Sequence, residues 1–164
     1  YGDDALSQSL KGIAQVHLSG IGSRVFYSQI GGFDVHGAQI QTQNTLLENV
    51  SRSVRDFFDD LKEHDASEEV IMMIFSEFGR RIKDNGNGTD HGSGGGTFLI
   101  GEKVKGGFYD EYPSLAPEKQ LNGDLQFSHD FRSIYSTVLE QWLGLNPIPI
   151  VNGKFDQFES VFNV

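Results

Sequence analysis

Three Asp/His groups stand out among the five histidines in this chain. The groups are Asp34-Val35-His36, Asp90-His91 and His129-Asp130. Carboxylate oxygen together with imidazole nitrogen makes a donor set for a divalent cation. It suits zinc, manganese or iron better than calcium, which prefers oxygen alone. Asp34 and His36 stand two apart, so in an extended chain they share a side and both can reach one ion. Asp90 and His91 lie in a glycine-rich run, Gly88-Thr89-Asp90-His91-Gly92, where an extended backbone would aim them in opposite directions. Read together, Asp34, His36, Asp90, His91 and His129 are candidate ligands of a metal-dependent hydrolytic site, of which the chain holds only a part. Each also has a plainer reading. Asp34 fits an Asx turn after Gly31-Gly32, with His36 capping the next helix. Asp90 fits a polar loop, and Asp130 fits a helix N-cap.

Two further residue types belong with that chemistry. Glu77 follows a continuously apolar run and is a candidate ligand, acid/base group or supporting partner; an ion pair with Arg80 or Arg81 is its alternative. Arg80 and Arg132 are candidate anion clamps, because a planar guanidinium pairs bidentately with phosphate or sulfate. Surface salt bridges are the commoner fate of such residues. Glu77 and Arg80 are the candidate catalytic residues.

These groups must be positioned by the elements around them. Asp3 or Asp4 can cap a first helix carrying Leu6, Leu10, Ile13 and Ala14 on one face, with Gly20 and Gly22 at its end. Arg24 to Ile30 has strand composition and runs into the Asp34/His36 turn. Ile40, Leu47, Val50, Val54, Phe57, Phe58 and Leu61 mark a long amphipathic helix over residues 38–63. Val70 to Phe75 reads as a buried strand ending just before Glu77. Residues 84–96 read as a long loop, Thr97 to Ile100 as a short strand, and residues 110–127 as a surface excursion. Phe131, Ile134, Tyr135, Val138, Leu139, Trp142 and Leu143 mark another helix, closed by Gly144 and Pro147. The tail has the composition of a short strand or hairpin. The alternation of strand and helix predicts one α/β domain over residues 1–164, a three-layer α/β/α sandwich with a largely parallel sheet. In such sheets ligands bind beyond the carboxyl ends of the strands, where Asp34, His36 and Glu77 are placed.

Composition narrows the function. With 164 residues the chain can bury a real core, and no internal repeat or linker divides it. The formal net charge of -10 argues against non-specific nucleic-acid binding, which needs cationic contacts to phosphate. An anionic substrate is still accessible if a bound cation or an arginine cluster reverses the local field. With no cysteine, disulfides, thiolate catalysis and zinc–cysteine sites are excluded. No apolar run approaches the roughly 18–20 residues of a membrane helix, so membrane insertion is not expected. Opening at Tyr1, the sequence reads as a fragment or processed product.

GGFDVHG, FSEFGRR, the GTDHG loop, IGEKVKGGFYDEYPSL and DFRSIYSTVLEQWLGL occur in this order. In that order they resemble the domain of unknown function 1501 family, a sulfatase-like branch of the alkaline phosphatase superfamily, over roughly residues 23–160. The resemblance implies an alkaline-phosphatase-like fold, of which this chain would be the C-terminal portion, and one or two divalent cations such as zinc, manganese or calcium. It implies Asp34, His36, Asp90 and His91 as ligands, with His129 as the late histidine completing the set. Glu77 falls in a motif of the family. Val35 departs from it, standing where the family usually has threonine. Superfamily enzymes carry a Ser or Thr nucleophile and an early Asp ligand in an N-terminal half that nothing before Arg24 resembles. The function implied is hydrolysis of a small anionic ester or sulfated carbohydrate by a periplasmic or secreted protein. The alternative is a non-catalytic domain, metal-stabilised or binding a carbohydrate surface.

Overall fold

The computed structural model describes residues 1–163, which group into two compact units. The first unit comprises Tyr1–Val70 and Asp84–Asp90; the second comprises Ile71–Lys83 and the chain from His91 onward.

Two helices build the first unit, α1 (Ala5–Leu18) and α2 (Gln39–Glu63). Asp4 caps α1, its Oδ1 accepting from the Ser7 N–H at 3.0 Å. That backbone hydrogen bond, then those from the Ser7 hydroxyl and Arg52, hold the Asp4 carboxyl at about 2. Leu6, Leu10 and Ala14, four residues apart, form the buried stripe of α1; Phe57 and Leu61 are the buried apolar residues of α2. Between the helices lies a buried polar contact, Ser7 Oγ to Ser53 Oγ at 2.7 Å. Ile40 and Leu47, near the start of the apolar stripe of α2, stay 74% and 51% exposed. The helix lengths explain this. At about 1.5 Å per residue, the 14 residues of α1 cannot cover the 25 of α2.

The second unit contains two small sheets. β1 (Met72–Ile74) pairs antiparallel with β4 (Phe98–Ile100), Met72 opposite Ile100 and Ile74 opposite Phe98. β2 (Gly79–Asp84) and β3 (Thr89–Gly92) form a hairpin whose base is closed by an antiparallel bridge from Arg80 to Gly94. The tip of this hairpin, residues 84–90, groups with the first unit. α3 (Arg132–Thr137) runs on into a π-helical turn over Val138–Trp142, where the Leu143 N–H reaches the Val138 carbonyl. Gly144, at φ 68°, ends it. Pro147 then opens a short helix, α4 (Ile148–Val151). The tail is anchored on α3 and, by an antiparallel bridge between Val104 and Phe162, on the segment after β4. Thr137 Oγ1 accepts from the Phe158 N–H at 3.0 Å, the Trp142 and Phe162 rings lie 5.5 Å apart, and Val161 is buried.

A three-layer α/β/α sandwich with a largely parallel sheet is therefore overturned. Among the described residues there are only the two short antiparallel sheets. A parallel ladder needs a crossover of a dozen or more residues that returns beside its starting strand. Here the buried-strand candidate pairs instead with β4, and only three of its residues do so. Arg24 to Ile30 joins no ladder, although its burial still alternates: Phe26, Ser28 and Ile30 are half-buried, while Val25 and Tyr27 are 75% and 73% exposed. The run 84–96, read as a loop, supplies the turn and second strand of the hairpin. No helix among the described residues is long and apolar enough to cross a membrane.

Candidate metal centre

The segment before α2 makes the first half of the centre. Gly32 adopts φ 95°, open to glycine, and the chain then passes through Asp34 and His36 to Ala38, which sits in the left-handed region at φ 50°. Asp34 and His36 share a side, as their spacing predicts, and Asp34 Oδ1 lies 3.1 Å from His36 Nε2. The hairpin tip makes the second half. Asp90 Oδ1 lies 3.2 Å from His36 Nδ1. One imidazole thus stands between two carboxylates, one at each ring nitrogen. All three side chains are open to water, with His36 47%, Asp34 67% and Asp90 58% exposed.

Three residues that the sequence alone did not single out, Asn85, Asn87 and Gln39, hold the tip in place. Asn85 Nδ2 donates to Asp90 Oδ1 at 3.0 Å and to the His36 carbonyl at 3.3 Å. Asn87 Oδ1 accepts from the Ala38 N–H at 3.1 Å. Gln39 Oε1 accepts from both the N–H and the hydroxyl of Thr89, at 2.6 and 3.0 Å. Asn85 and Asn87 bond each other through Asn85 Oδ1 and the Asn87 N–H at 3.0 Å. The signal was available: Asn85-Gly86-Asn87-Gly88 holds two Asn-Gly pairs, a strong hairpin-turn sequence. It was masked because the flanking residues are charged and polar rather than alternately apolar.

The donor chemistry of Asp34, His36 and Asp90 fits a divalent cation. A neutral imidazole has one N–H, so it can hydrogen-bond only one of two flanking carboxylates; the other contact calls for a second proton or a cation. Distances of 3.1–3.2 Å are those of hydrogen bonds, and they also match the separation of two donor atoms that each lie roughly 2.0–2.2 Å from one ion. Because the carboxylates occupy opposite ring nitrogens, an ion can use one side of His36 as its ligand while the other side stays hydrogen-bonded.

The remaining candidates fall in the second unit. His91, on β3, stacks on Phe78 with ring centres 4.1 Å apart, and the Arg80 guanidinium lies over the same ring at 5.1 Å. Glu77 is exposed in the bend after β1; among the described residues it has no ion pair with Arg80 or Arg81. Arg81 instead approaches Asp124 at 3.9 Å. His129 Nε2 meets Asp110 Oδ1 at 3.0 Å, with the Phe158 ring at its edge. Arg132 is not left open as an anion clamp. Its Nε and Nη2 grip the two oxygens of Asp130 at 2.8 and 2.7 Å, holding that carboxyl at about 2, and its face lies 4.0 Å over Phe155.

Comparison with curated proteins and with solved structures gives no match. The family described as "Protein of unknown function (DUF1501)" matches residues 1–147, most of the chain. The chain belongs to the DUF1501 family.

Proposed function

We propose that Asp34, His36 and Asp90 form a divalent-cation centre, and that the protein is a hydrolase of phosphate or sulfate esters of the sulfatase-like kind. The observation that carries the reading is the carboxylate–imidazole–carboxylate chain in the first unit. His36 offers the nitrogen lone pair, and Asp34 the negative charge, that zinc or manganese takes from a protein. A cation also reconciles a chain of net charge -10 with an anionic ester, whose approach the protein's own field would oppose. Bound there, it would neutralise ester oxygens and lower the pKa of the attacking group. Glu77, Arg80, His91 and His129 have no step in this reading. The family motifs support the ester class, with a sulfated carbohydrate as one form of it, and a periplasmic or secreted setting.

A second reading, a metal-stabilised domain without turnover, is favoured by a different observation. The same few residues join the hairpin tip to the start of α2, so an ion there would also hold structure. Metal content and turnover separate the two. The purified protein is stripped with chelator and reloaded with zinc or manganese. Metal is then measured by elemental analysis and turnover with aryl phosphate and aryl sulfate esters. Bound metal and metal-dependent release of phenol, both lost in His36→Ala, are expected. Bound metal with no release on either ester would favour the structural reading, and no bound metal would sink the centre.

A further inference from the structure

The second unit holds a cavity of about 230 Å³, where the π-helical turn, α4 and the tail meet. Glu140, Asn146, Pro147, Ile148, Lys154 and Phe155 line it. π-Helical turns inside helices occur often at functional sites, and this one carries Glu140 to the cavity wall. Glu140 is held there by Gln157, whose Nε2 donates to Glu140 Oε2. Gln157 is set in turn by Gln141, whose Nε2 donates to Gln157 Oε1 at 3.1 Å and to the Phe158 carbonyl at 2.9 Å. These bonds fix which end of the Gln157 amide faces Glu140. On the apolar wall, the Phe155 ring lies under the Arg132 guanidinium at 4.0 Å, and Asp130 grips that arginine. Gly153 makes room for the ring. Its φ is 155°, and a β-carbon on it would sit 3.1 Å from Phe155 Cε2. Asn146 Oδ1 accepts from the Ile148 N–H at 3.1 Å, which leaves the Nδ2 hydrogens of Asn146 to donate.

Two opposite charges thus line one cavity without meeting. Among the described residues, neither Glu140 nor Lys154 forms an ion pair, with the other or with a third group. An anionic ligand would answer Lys154 and be repelled by Glu140; a cationic one would do the reverse. A molecule carrying both charges answers both. The cavity is smaller than the roughly 300–1,000 Å³ that drug-sized ligands occupy, so its occupant is small. Pro147, Ile148 and Phe155 give the uncharged part of such a molecule an apolar wall. We propose that this cavity binds a small apolar α-amino acid as its zwitterion, with the ammonium on Glu140, the carboxylate on Lys154 and Asn146 Nδ2, and the side chain against Phe155 and Ile148. A neutral sugar would leave both charges unanswered, and a uronic or sulfated sugar would set an anion before Glu140. All the residues involved belong to the second unit, so the site stands independently of the metal centre.

The test titrates the full chain with L-leucine and with L-phenylalanine, followed by amide chemical shifts and by calorimetry. Saturable binding of at least one is expected, with the shift changes centred on Gly153 and Phe155. For the amino acid that binds, its amide, which lacks the carboxylate, and its N-acetyl derivative, which lacks the ammonium, should each bind about 10-fold or more weakly, the cost of one charge-assisted hydrogen bond. Glu140→Gln and Lys154→Met should weaken the parent amino acid to the same degree. Both side chains are exposed, so the melting temperature should stay at the wild-type value. Lys119→Met, the same change of charge outside the cavity lining, should leave affinity unchanged, and Lys154→Arg should restore part of it. No saturable binding of either amino acid, or shift changes centred away from the cavity, would overturn the proposal. Equal affinity for the N-acetyl derivative would remove the role of Glu140 and with it the zwitterion. Tighter binding of glucuronate than of either amino acid would make the cavity a saccharide site instead.

Discussion

The contact between Ser7 and Ser53 shows how a short polar chain decides the effect of single substitutions. Ser7 Oγ has one proton, and it goes to Asp4 Oδ2 at 2.7 Å. An ionised carboxylate can only accept, so Ser53 must be the donor in the buried 2.7 Å contact with Ser7. Removing Ser53 costs one hydrogen bond and leaves Ser7 still paired with Asp4. Removing Ser7 strands the Ser53 hydroxyl in a buried site. Ser53→Ala should therefore lower stability by about 1 kcal/mol and Ser7→Ala by about 1–3 kcal/mol. Urea denaturation followed by helix signal checks the order, and a larger loss in Ser53→Ala would reverse the donor assignment. The same cluster has a pH signature. The folded Asp4 carboxyl sits at about 2, below its ordinary value near 3.9, chiefly through the Ser7 N–H. A depressed carboxylate contributes stability above the unfolded value and loses it as pH falls through the folded one. Asp4→Asn keeps a capping side chain but not the charge. Its melting temperature should fall below the wild type's at pH 7, with the gap closing between pH 4 and pH 2. A constant gap across that window would count against the charge as the cause.

At the scale of elements, the helices and the strands β1 and β4 were legible, and the hairpin and the way the strands pair were not. Asp4 as cap, the Leu6–Leu10–Ala14 stripe and the span of α2 all follow from spacing and capping chemistry, which act within a few residues. The hairpin depends on contacts that no periodicity announces. Its base works because glycines stand where two backbones meet. A β-carbon on Gly94 would lie 2.6 Å from the Arg80 carbonyl oxygen and 2.8 Å from Leu125 Cδ1. Gly96, two residues on, has nothing within 4 Å. Gly94→Ala should cost about 1–3 kcal/mol, the range for forcing atoms into a packed site. Gly96→Ala should stay within about 0.5 kcal/mol of the wild type. Amide exchange at Arg80, whose N–H bonds the Gly94 carbonyl at 2.7 Å, gives the local readout. Equal exchange in the two variants would mean that the bridge is not closed in solution. The candidate centre divides in the same way. The Asp34/His36 pairing was readable from a spacing of two, whereas Asn85, Asn87 and Gln39 act between elements distant in sequence.

Across the whole molecule, the predicted fold went astray because apolar runs report what a segment could bury and not what it meets. Arg24 to Ile30 has the composition and the alternating burial of a strand, yet Val25 and Tyr27 remain open to water. Phe98 on β4 is 65% exposed, and Phe108 is fully so. A surface carrying such residues favours association, while a net charge of -10 opposes it by mutual repulsion. The two effects have different salt dependence. The Debye length is about 30 Å at 0.01 M salt and about 3 Å at 1 M, so added salt removes the repulsion and leaves apolar attraction intact. Sedimentation velocity should show one slow species at low salt and a concentration-dependent increase in sedimentation coefficient at high salt. Val25→Ser combined with Tyr27→Ser should reduce that increase without lowering the melting temperature, since neither side chain is buried. If association were instead driven by ion pairs between copies, salt would disperse it. A sedimentation coefficient that falls with salt would therefore overturn the apolar account.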